Sequence, residues 1–188
     1  MAELHLVTGG CRSGKSAYAQ QAAESLADAL AAPRVYVATC PITDDAEMQS
    51  RIDAHRAARR DRGWETVEEE LDLAGVLTRD PRHAVVLVDC VTLWINNLMY
   101  RAARSGRDVT EDDVARHCGP VLDAAAARRG AVFFVTNEVG WGVVPENPQA
   151  RRFRDLVGRA NQLLAARADR VTLVACGIPL HLKENRSP

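Results

Sequence analysis

Lys15 and Ser16 close the run Gly9-Gly10-Cys11-Arg12-Ser13-Gly14-Lys15-Ser16, which fits the pattern G-x-x-x-x-G-K-[ST] and follows a β-branched apolar stretch at residues 4–8. Between a strand and a helix, that pattern is a phosphate-binding loop. Gly9, Gly10 and Gly14 let the backbone bring its N–H groups up to a polyphosphate, and the helix that begins near Lys15 adds the positive end of its dipole. In such loops the lysine bridges the β and γ phosphates and the following hydroxyl ligates Mg²⁺, so those tasks fall to Lys15 and Ser16. A second run, Ala84-Val85-Val86-Leu87-Val88, leads straight into Asp89. A carboxylate at a strand's carboxyl end helps to hold the Mg²⁺ of a bound triphosphate, although such an aspartate also serves as a helix cap.

A different chemistry is suggested around His55. Thr43 can cap a helix whose first turn carries Asp44, Asp45 and Glu47, and helical spacing then places Arg51, His55 and Arg59 on one face. Two guanidinium groups beside an imidazole disfavour its protonation, keep a ring nitrogen free to attack phosphorus, and offer a phosphate a binding place. The same spacing is also compatible with a solvated helix face that happens to include a histidine.

The elements that must position these residues can be read from periodicity. Strands are expected at residues 4–8, 35–39, 84–88, 131–136 and 171–175, and helices at 15–31, 44–60, 91–103, 113–129 and 151–168. In the last helix Phe153, Leu156, Val157, Ala160, Leu163 and Leu164 form one stripe. Strand–helix alternation with nearly continuous apolar strands predicts an α/β fold, a mostly parallel sheet with helices on both faces. That is the architecture in which phosphate loops of the RecA-like P-loop NTPase kind occur.

The chain has 188 residues, 47% hydrophobic and 26% charged, which suits one compact domain over residues 1–188. Its net charge is −1 with mixed signs throughout, which argues against a nucleic-acid surface and for a small anionic partner. Five cysteines, Cys11, Cys40, Cys90, Cys118 and Cys176, are widely spaced without a C-x-x-C pair, which disfavours a disulfide framework or zinc site. No stretch approaches the ~18 apolar residues of a membrane span, and the start lacks a basic, apolar leader. A cytoplasmic protein is expected.

Four segments taken together narrow the reading: the loop from Gly9 to Ser16; Val35-Tyr36-Val37-Ala38-Thr39; Asp45-Ala46-Glu47-Met48-Gln49-Ser50-Arg51-Ile52 followed by His55-Arg56; and Thr136-Asn137-Glu138-Val139-Gly140 with Gly142-Val143-Val144-Pro145-Glu146-Asn147. In that order and spacing the chain resembles the bifunctional adenosylcobinamide kinase/adenosylcobinamide-phosphate guanylyltransferase family, over residues 4–177. Arg151-Arg152-Phe153-Arg154-Asp155, Gly158 and Asn161 also match.

The resemblance implies two reactions of cobalamin assembly. Adenosylcobinamide is phosphorylated with ATP or GTP, and GMP is then transferred from GTP to adenosylcobinamide phosphate through a guanylylated histidine, matched here by His55. It implies Mg²⁺, held by Ser16 and Asp89, and nucleotide contacts at Thr39, Cys40, Pro41, Arg56, Ala57, Ala58, Arg59 and Glu68 besides the phosphate loop. It also implies a homo-oligomer, a trimer, with no membrane span and no nucleic acid. Where the family often has glutamate the chain has Asp89, where it has a small residue the chain has Cys11, and where some members carry a second histidine before the nucleophile the chain has Ala54. Two other classes stay open on the residues alone: a small-molecule kinase in which His55 is incidental, and a RecA-like regulatory ATPase module.

Asn137 and Glu138 follow a strand at the sheet edge where open α/β folds bind ligands, and are candidates for substrate or metal contacts. Asn137 serves equally well as a turn cap. Trp94 and Trp141 can touch a corrin ring, but packing is the expected use of both.

Overall fold

The computed structural model describes residues 1–40, 56–57, 59–79 and 83–184. Along them run β1 (Glu3–Thr8), α1 (Lys15–Ala29), β2 (Arg34–Ala38), β3 (Trp64–Glu68), α2 (Leu73–Arg79), β4 (Ala84–Asp89), α3 (Val91–Arg104), α4 (Glu111–Ala127), β5 (Gly130–Val135), α5 (Pro148–Arg167), β6 (Arg170–Ala175) and β7 (Ile178–Glu184). All strands join one seven-stranded sheet in the order β3-β2-β4-β5-β1-β6-β7. Every neighbouring pair is parallel except β6 with β7. This is the α/β, P-loop NTPase arrangement expected from the sequence.

Alternation along the strands builds two cores. Leu4 and Leu6 of β1, Val86 and Val88 of β4, and Val132 and Phe134 of β5 face one side, where α2, α3, α4 and α5 cover them. Val7, Val85, Leu87, Phe133 and Val135 face the other side, against α1. On α1 the buried contacts are Ala19, Ala23 and Ala27, spaced by four so that they fall on one line. Small side chains there bring the helix close to the sheet and fix where its N-terminus lies. Phe133 and Phe134 are each 2% exposed on opposite faces, and truncating either to alanine would cost about 3–5 kcal/mol.

The five expected strands are all present. Four of the five expected helices are present too, with α4 and α5 beginning two and three residues early. Thr110 and Asp113 form a reciprocal capping box on α4, and Asn147 caps α5 ahead of Pro148. Most of the expected helix at 44–60 lies outside the described residues; Arg56, Ala57, Arg59 and Arg60 are helical. β3, β7 and α2 were not anticipated.

Parallel strands place their carboxyl ends on one edge, and the sheet order sets what meets there. The phosphate loop follows β1 and Asp89 ends β4, with the end of β5 between them.

Candidate active site

The loop after β1 is shaped by close backbone approach. A Cβ on Gly9 would lie 2.4 Å from the Val174 carbonyl oxygen and 2.6 Å from Ser13 Oγ, so no larger residue fits. Gly14 has φ +92°, and a Cβ there would lie 3.2 Å from the Gly177 Cα. The Gly177 N–H donates to the Ser13 carbonyl at 2.8 Å, tying the loop to the β6–β7 turn. Ser13 N–H donates to the Gly10 carbonyl at 3.3 Å, while Cys11 and Arg12 are exposed at the tip.

Lys15 is buried, and its ammonium donates to the Gly10 carbonyl at 3.2 Å, folded back across the loop. Gly14 supplies no side-chain cap to α1 and the first turn holds no acid. The orphan N–H groups of that turn and the positive end of the dipole are therefore left for an anion. Ser16 stands in the same turn, half-buried.

Across the edge, Asp89 is half-buried and its Oδ2 accepts a hydrogen bond from the Tyr36 hydroxyl at 2.9 Å. Burial and the nearby Asp89 charge push the Tyr36 phenol well above its usual range, so it stays a donor. The Arg59 guanidinium lies 3.6 Å from the centroid of the Tyr36 ring, a cation–π contact in a buried setting. The segment carrying four expected nucleotide residues is thereby linked through Tyr36 to Asp89. Arg56 of that segment pairs with Glu68, joining two residues the sequence had named separately.

Thr39 is fully buried, and its hydroxyl is committed to the Cys90 backbone, donating to the carbonyl at 2.8 Å and accepting from the N–H at 2.8 Å. Its carbonyl accepts from Asn97 Nδ2 at 2.8 Å. Its side chain therefore braces the strand ends, and Cys40 beyond it is half-buried. The Cys90 thiol is pushed up to about 12 by burial and by Asp89, which keeps it an unreactive neutral group. His55, Arg51, Pro41 and Ala58 lie outside the described residues.

The end of β5 is held by a network of polar side chains. Thr8 Oγ1 donates to Glu138 Oε1 at 2.6 Å, Asn161 Nδ2 donates to the same oxygen at 3.2 Å, and the Glu138 N–H donates to the Gly9 carbonyl at 3.1 Å. Asn161 also donates to the Asn137 carbonyl at 3.1 Å and accepts from Thr136 Oγ1 at 2.7 Å. The Asn137 N–H donates to Thr92 Oγ1 at 2.8 Å. Tyr36, Thr92 and Asn161 were missed as site residues, because they act through neighbours distant in sequence. Trp94 packs as expected, 2% exposed, with its indole N–H donating to the Leu71 carbonyl at 2.9 Å. Trp141 does not; it is 68% exposed.

Asp89 Oδ1 accepts no hydrogen bond among the described residues, and it and the Ser16 hydroxyl are both hard oxygen donors at the carboxyl edge of the sheet. Mg²⁺ usually takes one or two carboxylates together with substrate phosphates rather than an all-protein cage. The residues therefore fit a nucleotide-borne ion. Among the described residues no group of three or more His, Cys, Asp or Glu could hold a metal by itself.

Comparison with known proteins bears on this edge. The cobinamide kinase / cobinamide phosphate guanyltransferase family matches residues 5–182. The bifunctional adenosylcobalamin biosynthesis protein CobU of Salmonella typhimurium is 42% identical, over 95% of this chain and 98% of that protein. CobU of Escherichia coli is 39% identical, over 95% and 98%. CobP of Pseudomonas aeruginosa is 38% identical, over 95% and 96%. With a family match across nearly its whole length and relatives covered almost end to end, the chain belongs to the cobinamide kinase / cobinamide phosphate guanyltransferase family.

Proposed function

We propose that this chain, as a single domain, phosphorylates adenosylcobinamide with ATP or GTP and then transfers GMP from GTP to the resulting phosphate, releasing pyrophosphate. The observation that carries it is that the uncapped N-terminus of α1, with Lys15, and the strand-ending Asp89 fall on the same carboxyl edge of the sheet. The residues Gly9, Gly10, Cys11, Arg12, Ser13, Gly14, Lys15 and Ser16 hold the phosphates, and Mg²⁺ bound at Ser16 and Asp89 supplies charge neutralisation there. Lys15 exchanges the Gly10 carbonyl for phosphate oxygens when nucleotide arrives.

In the second reaction a ring nitrogen of His55 attacks the α phosphorus; the bond to the bridging oxygen breaks and pyrophosphate leaves. An oxygen of the acceptor phosphate then attacks the same phosphorus and breaks the P–N bond, so one hard displacement becomes two easier ones. Thr39, Cys40, Pro41, Arg56, Ala57, Ala58, Arg59 and Glu68 complete the nucleotide site, Thr39 by bracing the strand ends. The protein works in the cytoplasm as a homo-oligomer, a trimer by resemblance. Among the described residues no helix is long and apolar enough to cross a membrane.

Incubation with GTP labelled at the α phosphate is expected to leave acid-labile, base-stable label on the protein, and His55→Ala to abolish it while sparing the kinase. Wild-type protein that binds GTP yet takes no label would sink the mechanism. Release of ADP or GDP without labelling would favour the kinase-only alternative.

A further inference from the structure

The two reactions make different demands on protons. In guanylyl transfer the attacking atoms are an imidazole nitrogen and a phosphate oxygen, neither of which has a proton to lose. In the kinase step the attacking atom is a hydroxyl oxygen, whose proton must go to a base. A base near the phosphate loop that accepts this proton would serve the first reaction and not the second.

The sheet order β4-β5-β1 brings the end of β5 between Asp89 and the phosphate loop, and the residue delivered there is Glu138. Its backbone N–H is bonded to Gly9, the first residue of the loop, at 3.1 Å. Thr8 and Asn161 both donate to Oε1, at 2.6 and 3.2 Å, which fixes the carboxylate's direction, while Oε2 accepts no hydrogen bond among the described residues. A glutamine could accept those same two bonds without setting a negative charge beside a polyphosphate, a repulsion that works against binding. The free carboxylate oxygen therefore has a use beyond bracing. Asp89, the acid that ends the neighbouring strand β4, is engaged with Tyr36 and is the one proposed above for the cation, and Glu68 at the end of the outer strand β3 is paired with Arg56.

We propose that Glu138 is the general base of the kinase step. Its Oε2 takes the proton from the acceptor hydroxyl as that oxygen bonds to the γ phosphorus; the bond from the γ phosphorus to the bridging oxygen breaks, the nucleoside diphosphate leaves, and Glu138 returns its proton to water. This rests on the reading above that one phosphate loop serves both reactions.

The test is Glu138→Gln, which preserves shape and both accepted hydrogen bonds. Kinase kcat is expected to fall by about 100-fold or more. GTP affinity is expected to hold or rise, because a charge beside the polyphosphate is removed, while labelling of the protein from α-labelled GTP and GMP transfer to supplied adenosylcobinamide phosphate should stay close to wild type, since neither passes a proton to Glu138. A kinase kcat within about threefold of wild type overturns the assignment, because a general base is worth far more. So does a parallel loss of labelling and kinase turnover, which is the mark of a bracing role. If the glutamine variant does not fold, Glu138→Asp is read in the same way, selective kinase loss supporting the base and equal losses overturning it. Wild-type protein active in neither reaction removes the functional reading, and the base with it.

Discussion

The hydroxyl of Tyr36 donates to one carboxylate oxygen of Asp89 and leaves the other open, so a side chain that never meets the reacting atoms sets the direction in which Asp89 offers its charge. Losing that bond lets the carboxylate rotate, and a hydrogen bond to a charged group is worth roughly 1.5–3 kcal/mol, less where water can replace it. Tyr36→Phe keeps the ring under Arg59 and deletes only the oxygen. We expect the Mg²⁺ concentration needed for half-maximal turnover to rise about five- to tenfold in both reactions, as about 1–1.4 kcal/mol requires, with little change in saturated rate. Direct Mn²⁺ titration in the presence of nucleotide, followed by electron paramagnetic resonance, should show the same weakening. Unchanged metal affinity would mean that Asp89 is oriented by something else. The phosphate loop was legible from sequence because its chemistry is local: eight adjacent residues hold the whole motif. The partners of Asp89 and Glu138 were not, because Tyr36, Thr8 and Asn161 reach them across strands and from α5, and no spacing rule records such meetings.

At the scale of elements, the strands read correctly were those buried on both faces, where β-branched runs are nearly continuous. β3, Trp-Glu-Thr-Val-Glu, carries mostly exposed side chains on an edge, and β7 has Pro179 as its second residue, so neither shows the apolar run of an inner strand. α2 spans seven residues with Gly75 inside it, too few for a helical period to stand out. The inner pair β1 and β5 contains one titratable group that matters to folding. His5 stacks on Phe133 with ring centroids 4.0 Å apart and an interplanar angle of 15°. Burial lowers its pKa below the ordinary 6.5, against an opposing pull from Glu3. Because the unfolded chain then takes up the proton more readily, this contribution to stability is complete above about pH 6.5 and is lost as pH falls towards the folded-state value. His5→Phe keeps the stack and removes the titration. Its melting temperature should fall less than that of wild type between about pH 6.5 and about pH 5; parallel decline of the two proteins would rule His5 out as a source of the acid limb.

For the molecule as a whole, the two edges of the sheet are treated differently. β3 is five residues long and presents Glu65 and Glu68, which discourages pairing with another chain. β7 is longer and exposes Ile178 at 69%, Leu180 at 58% and Leu182 at 57%, a row of apolar residues along the edge strand, with Leu182 at an irregularity in its pairing with β6. Such a row left in water is a liability unless another surface covers it. A second copy is the occupant consistent with the oligomer proposed above, and the row is joined to the active site, since the β6–β7 turn donates from Gly177 to Ser13 of the phosphate loop. Leu180→Asp would set a charge in the middle of that row. Sedimentation at micromolar concentration should then show the wild-type oligomer replaced by monomer. Nucleotide affinity should weaken at the same time, because a turn no longer held by its neighbour steadies the phosphate loop less well. A wild type that sediments as monomer, or a variant that keeps its assembly state, would remove β7 from the interface. Loss of assembly with unchanged nucleotide affinity would keep the interface but break its link to the loop.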